Sequence, residues 1–178
     1  MKKIVMVTTL FISLISITNA NETLAEKVNR AAKENNVALM KEYIRLGGNL
    51  DIQDKKGYTP LIFASYYGHE ELVSLLLKNN ANPCKKDSRG NTALMGAIFK
   101  GNVKVAYKLM KSSCTISQKN NAKQTALMYA SLFGRKEIAK ELMAKGSSAN
   151  EIDANGDSAI SVAKKQMNGE MVQVLESK

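Results

Sequence analysis

One spacing, the step of 33 from Asp54 to Asp87, recurs along this chain and limits what it can fold into. The residues that recur at this step keep their chemical type: an acid or amide, a hydroxyl, an aliphatic residue, an alanine, a glycine and a leucine. They are Asp54, Asp87, Asn120 and Asp153; Thr59, Thr92, Thr125 and Ser158; Leu61, Leu94, Leu127 and Ile160; Ala64, Ala97, Ala130 and Ala163; Gly68, Gly101 and Gly134; and Leu76, Leu109, Leu142 and Leu175. Such a period is typical of repeat proteins, in which each unit packs only against its neighbours.

The best-preserved unit predicts two short helices. Thr59 suits the N-cap of the first helix, Pro60 suits its first turn, and Gly68 can end it in a left-handed conformation. An apolar stripe from Leu72 to Leu77 then predicts a second amphipathic helix. Helices this short do not persist alone in water, so neighbouring units are expected to bury each other's apolar faces.

The unit "DKKGYTPLIFASYYGHEELVSLLLKNNANP" resembles an ankyrin repeat, with its D-x-x-G-x-T-P-L-x-x-A-x-x-x-G-H signature. The resemblance covers nearly all of 21–178. It implies an all-α solenoid of about five helix-turn-helix units joined by short β-hairpin loops, with the first and last units acting as caps. The unit boundaries fall at about 21–53, 54–86, 87–119, 120–152 and 153–178.

The middle units depart from the family pattern at a few positions. Ile62, Met95 and Met128 replace the family's histidine after T-P-L, so packing is expected to replace a polar network there. Lys123 stands where other units have a turn glycine, and Ser113 stands where a glycine ends the second helix. A side chain in a left-handed position costs about 1 kcal/mol. The third unit, which carries Ser113, is therefore expected to be the least stable.

Residues 1–20 have the pattern of a secretory signal peptide. Lys2 and Lys3 precede an apolar run over 4–17, and small residues follow at 18–20. The run is shorter than the roughly 20 residues that a bilayer span needs. We therefore expect an exported protein, most naturally periplasmic, whose working domain is 21–178 and which does not stay inserted in a membrane.

The positive charge is concentrated in one segment. The formal net charge is +10, and residues 85–123 carry nine Lys or Arg against one acid, whereas the flanking segments are balanced. A cationic belt of this kind favours an anionic ligand such as nucleic acid, lipopolysaccharide or a membrane surface, although a solvated surface is also consistent with it. In the second helix of the third unit, Lys104, Lys108 and Lys111 form a possible basic surface.

No residue pattern predicts catalysis, a metal or a cofactor. His69 is the single histidine and occupies the structural G-H position of the repeat. No nucleophile motif or phosphate-binding loop accompanies it. We therefore expect a protein that is not an enzyme.

Cys84 and Cys114 are the only cysteines. An even number in an exported protein suggests a disulfide. However, the two lie three positions apart in consecutive repeats, and stacked units lie about 10 Å apart, so two small buried thiols are also consistent with the sequence.

The resemblance implies a partner-binding surface on the concave side, made by the loop tips and the ends of the first helices. Large apolar residues occupy those helix ends in the three central units, and polar or charged residues occupy the tips. The predicted partner-binding residues are Lys55, Lys56, Tyr58, Tyr66, Tyr67, Arg89, Asn91, Phe99, Lys100, Gln124, Leu132 and Phe133. Aromatic side chains and arginine are common in interface hot spots.

The function expected from these features is a non-enzymatic module that holds a protein partner in its concave groove in the periplasm. A monomer is expected, and nucleic acid is not the expected partner. The resemblance to exported bacterial ankyrin proteins also suggests support of a stress-response enzyme such as catalase. The alternative is a binder of an anionic ligand through 85–123.

Overall fold

A computed structural model of the chain describes residues 22–112, 114 and 116–177. Within these residues ten helices form five helix-turn-helix pairs, as the repeat predicts. They are α1 Leu24–Lys33, α2 Val37–Arg45, α3 Pro60–Tyr67, α4 Glu70–Lys78, α5 Ala93–Lys100, α6 Val103–Met110, α7 Ala126–Leu132, α8 Lys136–Ala144, α9 Ala159–Lys165 and α10 Gly169–Glu176. The predicted signal peptide and Ser113 lie outside the described residues.

The recurring hydroxyls cap the first helix of each unit from the second to the fifth. The side-chain oxygens of Thr59, Thr92, Thr125 and Ser158 accept the backbone N–H three residues ahead, at 3.1–3.4 Å. These N–H groups have no partner within the helix, so each cap satisfies a donor that would otherwise need water. The capping role predicted for Thr59 is confirmed.

A left-handed residue follows each first helix. Gly68 and Gly101 have φ of 78° and 75° at the C-caps of α3 and α5. Asn35 and Met167 occupy the same repeat position in the two end units, with φ of 56° and 54°. The end units therefore keep the backbone turn even where the glycine that favours it has been lost.

The recurring acid or amide organises each loop. One side-chain oxygen of Asp54, Asp87, Asn120 or Asp153 accepts two backbone N–H groups, two and four residues ahead, at 2.8–3.0 Å. Asp and Asn are favoured in turns because their side chains can make such bonds. The acid or amide therefore recurs every 33 residues because each loop needs a side chain that forms this turn.

Backbone hydrogen bonds join the tips of successive loops. Ser88 N donates to Lys56 O, Asn121 N to Arg89 O, and Ala154 N to Ala122 O, at 2.9–3.0 Å. The loops that were expected to be β-hairpins contain no strand among the described residues, and one isolated antiparallel bridge joins Lys86 and Thr92. Their tip N–H groups are satisfied by the turn-forming side chains and by a carbonyl of the preceding tip.

The core lies between the stacked units. Each first helix packs against the first helix of the next unit, and second helices stack in the same way from the second unit onward. Ile62, Met95 and Met128 are buried, so apolar packing does replace the family's polar network at these positions. No helix among the described residues is long and apolar enough to cross a membrane.

Side chains of one unit also cap helices of the unit before it. His69 Nε2 lies 2.8 Å from the carbonyl oxygen of Lys33, and Asn102 Nδ2 donates to the carbonyls of Ser65 and Tyr66 at 2.9 Å. The last carbonyls of a helix have no partner within it, so these bonds stabilise the ends of α1 and α3. The structural interpretation of His69 agrees with this contact.

A disulfide joins Cys84 to Cys114, with their Cα atoms 5.3 Å apart. The sequence left this pairing open because equivalent residues of stacked units are too far apart to bond. The offset of three positions within the repeat brings the two residues within reach. The bond links the loop after α4 to the segment after α6.

Lys123 gives a direct test of the left-handed turn position. It has φ of 59° and is exposed, whereas the equivalent residues Gly57, Gly90 and Gly156 are glycines. We expect Lys123→Gly to raise the free energy of unfolding by about 1 kcal/mol, because glycine adopts this conformation without a Cβ penalty. Urea unfolding measures the change, and Lys123→Ala, which keeps the strain, should bring no gain.

The disulfide should contribute measurably to stability. The bond closes a loop of 30 residues and so restricts the unfolded chain. We therefore expect reduction of the bond, or the double change Cys84→Ser with Cys114→Ser, to lower the free energy of unfolding by about 2–4 kcal/mol. Urea unfolding with and without dithiothreitol measures this. Dithiothreitol should leave the double variant unchanged, and an unaltered wild-type midpoint would contradict the prediction.

Candidate functional site

Aromatic side chains from three consecutive units form a continuous row at the ends of their first helices. Tyr66 contacts Tyr67 with ring centres 5.2 Å apart, stacks on Phe99 at 5.9 Å, and Phe99 meets Phe133 edge-on at 4.8 Å. These separations are those of favourable ring pairs. The structure therefore brings the four predicted residues Tyr66, Tyr67, Phe99 and Phe133, here called the aromatic row, into one surface.

Three further rings extend the aromatic row at its ends. Tyr58, a predicted tip residue, contacts Phe63 at 5.0 Å, and Phe63 stacks on Tyr67 at 6.5 Å. At the other end, Tyr129 contacts Phe133 at 6.0 Å. Sequence reasoning missed Phe63 and Tyr129. Their signal was present, because both occupy one repeat position, two units apart, that the family motif leaves free.

The row is only partly covered by the protein. Tyr67 and Phe99 are 42% and 41% exposed, and the neighbouring Leu132 is 39% exposed, whereas Tyr66 and Phe133 are half-buried. In the adjacent pairs Tyr66–Tyr67 and Leu132–Phe133 one side chain is half-buried and the other is exposed. A contiguous exposed apolar surface of this kind is more typical of an interaction site than of a surface that meets only water.

Two lysines lie over faces of the row. Lys100 Nζ is 5.3 Å from the centre of the Tyr66 ring, and Lys33 Nζ is 5.8 Å from that of Tyr67. Cations over ring faces at these distances are attracted by the ring's electron density. Lys100 was predicted as a site residue, and Lys33 was not.

The predicted tip residues fall into two groups. Lys55, Lys56 and Arg89 are exposed, and Lys55 lies 3.5 Å from Glu26. Asn91 and Gln124 are half-buried, and their side-chain oxygens already accept hydrogen bonds from within the protein.

The engaged amides belong to one polar network. Asn91 Oδ1 accepts from Tyr129 Oη and from Asn120 Nδ2, both at 2.9 Å, and Gln124 Oε1 accepts from the same Asn120 nitrogen at 3.1 Å. The network fixes the Tyr129 ring beneath the groove. Burial raises the pKa of the Tyr58 and Tyr129 phenols, so both remain neutral at physiological pH.

A cavity of about 210 Å³ opens in the groove between the second and third units. Tyr58, Tyr66, Phe99 and Tyr129 contribute its rings, and Asp87 and Arg89 lie at its edge. Gly96, in the middle of α5, also lines it. We call this cavity the Gly96 pocket.

Gly96 gives the pocket no side chain, whereas the equivalent residue of the other units does carry one. Phe63, Tyr129 and Val162 occupy the same position in the second, fourth and fifth units. Gly96 is helical and has no positive φ, and an added Cβ would lie 3.8 Å from Tyr66, an ordinary contact. Neither the backbone nor the packing therefore requires glycine here, although glycine weakens a helix.

The possible basic surface is partly neutralised. Lys108 Nζ lies 3.3 Å and Lys104 Nζ 3.9 Å from carboxylate oxygens of Glu70 in the preceding unit, and Lys111 is exposed. Lys119, which adds to the 85–123 belt, lies 2.9 Å from Glu151. Three of the nine cations counted in 85–123 thus lie beside acids of neighbouring units.

The described part of the chain holds no group of three or more His, Cys, Asp or Glu side chains that could bind a metal ion. The residues that the structure does gather at the groove are mainly aromatic, amide and basic, with Asp87 as an acid at the edge of the pocket. Such a set suits contact with another molecule through stacking, burial and hydrogen bonds.

Comparison with known proteins places the fold in a family. The family model for ankyrin repeats, which holds three copies, matches residues 28–120 and 104–178, and the chain therefore belongs to the ankyrin-repeat family. Proteins of this family generally mediate protein–protein interactions and are typically non-enzymatic binding modules.

One curated relative is a human protein, the DNA-binding protein RFXANK. It is 39% identical over 57 residues, which are 32% of this chain and 22% of the relative. The chain thus matches about a fifth of that protein's length.

Replacing Gly96 tests how much stability the fold loses by having a glycine at this position. We expect Gly96→Ala to raise the free energy of unfolding by about 0.5–1 kcal/mol, because alanine favours the helix and its Cβ meets no close neighbour. Urea unfolding measures the gain. A loss of stability would show that the fold requires glycine at position 96. The matched control is Gly169→Ala, the same change at the exposed start of α10.

Proposed function

We propose that this protein is a non-enzymatic interaction module that holds a protein partner in the groove formed by its loop tips and first helices. The observation that carries the proposal is the aromatic row. Four rings from three units form one surface across the unit boundaries, and Tyr67 and Phe99 expose about two fifths of their area. Apolar burial on such rings is the main source of affinity in protein interfaces.

The rim of the groove adds charge to this apolar centre. Lys55, Lys56, Arg89 and Lys100 are exposed around the row. A polar rim around an apolar core is the usual anatomy of a protein interface. It also accelerates the encounter with a partner of opposite charge.

The alternative ligand, an anion bound through 85–123, has weaker support. The human relative carries DNA binding in its name, but Lys104 and Lys108 flank Glu70, and Lys119 lies beside Glu151. A polyanion would have to compete with these carboxylates for the lysines. Binding to the aromatic row needs no such exchange.

We further propose that the protein acts outside the cytoplasm, in the periplasm. The proposal is supported by the charged and apolar pattern of residues 1–20 and by the Cys84–Cys114 disulfide, since such bonds persist in oxidising compartments. The partner is then a protein of the same compartment. A stress-response enzyme is the partner that the family resemblance suggests.

Two variants separate the groove from the basic surface. One replaces Tyr66, Phe99 and Phe133 by Ala, and the other replaces Lys104, Lys108 and Lys111 by Gln. Each is immobilised beside the wild type, and the proteins retained from a periplasmic extract are identified and quantified. We expect the partner to be lost at least tenfold from the aromatic variant and kept by the lysine variant, because truncated aromatic anchors dominate interface energies.

The same experiment can reject the proposal. Retention of every partner by the aromatic variant would refute the groove. A partner lost only from the lysine variant, with affinity that falls steeply as salt is added, would favour the anionic ligand instead. Circular dichroism of both variants shows whether the fold is intact.

A further inference from the structure

The Gly96 pocket narrows the chemistry of the partner, in an inference that rests on the groove function proposed above. We infer that the pocket receives one aromatic side chain from a partner segment whose flanking residues are acidic. The pocket lies beside the aromatic row, at the repeat position where Phe63 and Tyr129 carry rings and Gly96 carries no side chain. Its size, its lining and its charge each limit which partner side chain can enter it.

The size of the pocket suits a single ring. Its volume is about 210 Å³, and a cavity of about 150 Å³ is enough to hold benzene. The remaining space accommodates the methylene that links a ring to a peptide backbone. Phe63 and Tyr129 occupy the equivalent position in the units on either side, so the guest's ring would replace the side chain that Gly96 lacks.

The wall of the pocket is aromatic, and most of the acceptor capacity of Asn91 and Asp87 is used within the protein. Asn91 Oδ1 accepts two hydrogen bonds from within the protein. Asp87 Oδ1 accepts from the backbone of Arg89 and Asn91, and its Oδ2 accepts from Asn91 Nδ2 at 3.3 Å. A guest rich in donors would find few free acceptors. A ring would stack or meet edge-on with Tyr66 and Phe99.

The charge of the pocket disfavours a cationic side chain, the other group that tyrosine rings attract. Lys100 already lies over the Tyr66 ring and Arg89 lines the pocket, while Asp87, the acid among the lining residues, already accepts hydrogen bonds at both carboxylate oxygens. A guest ammonium or guanidinium would meet both at short range in a partly desolvated site. A lysine or arginine guest is therefore disfavoured.

Cations around the pocket also favour a particular charge in the residues of the partner that lie next to the bound aromatic side chain. Lys56, Arg89 and Lys100 are exposed around the pocket, and no salt bridge engages any of them in the part of the chain that the structure describes. The adjacent tips are held together, since Ser88 N donates to Lys56 O at 2.9 Å, which places both tips at one edge. Carboxylates on either side of the guest ring complement this rim.

Defined peptides test the inference with the full chain. Fluorescein-labelled nonapeptides carry a varied central residue between acidic, Ser/Gly or Lys flanks, and fluorescence polarisation gives their Kd. We expect acidic peptides with central Phe, Tyr or Trp to bind best. Changing that residue to Ala should weaken binding about tenfold or more, because anchors in pockets are hot spots.

Variants then locate the binding. Gly96→Phe should remove the preference for an aromatic central residue, and Gly96→Ala should reduce it. Both are compatible with the fold, since Phe63 occupies the same position of the repeat. Val162→Phe, which adds the same ring at that position two units away, is the matched control and should leave binding unchanged.

Three outcomes would overturn the inference. Basic or aliphatic central residues could bind as tightly as aromatic ones, Gly96→Phe could leave the preference intact, or no peptide could bind. The proposed groove function would survive any of these if the Tyr66, Phe99 and Phe133 variant still loses its partner from the extract. Failure of that capture experiment would reject the groove itself.

Discussion

The structure depends on the apolar faces that neighbouring units share. Its helices have seven to ten residues, a length at which helical hydrogen bonding alone does not hold a chain in water. First helices pack on first helices and second helices on second, so each unit buries what it could not bury alone. Caps from His69 and Asn102, and the bonds between loop tips, add polar contacts across the same boundaries.

This dependence also determines where a binding surface can arise. Positions that face the next unit must be apolar and of the right size, whereas the ends of the first helices and the loop tips are free to vary. The aromatic row occupies those free positions in three successive units, and stacking brings residues that lie one unit apart in sequence into ring contact. Regular stacking thus aligns the free positions of successive units into one surface, and the residue at each of these positions determines the chemistry of that surface.

Much of the fold followed from the sequence because its signals are local. A threonine cap, a turn-forming aspartate and a left-handed glycine each act within four residues, and Lys123 shows that the backbone keeps the turn without the glycine. The aromatic surface was predicted from its repeat position. Phe63, Tyr129 and the cavity at Gly96 were not, because a missing side chain becomes a pocket only when the rings of adjacent units surround it.

By itself the sequence determined the period, the helix pairs, the caps and the face on which the aromatic residues lie. The tertiary structure decided the contacts between units: the Cys84–Cys114 bond, the pairing of Lys104 and Lys108 with Glu70, and the volume of the Gly96 pocket. The reason is physical. Caps and turns depend on neighbours along the chain, whereas bonding, charge pairing and cavity volume depend on distances of a few ångströms between units, which the stacking geometry sets.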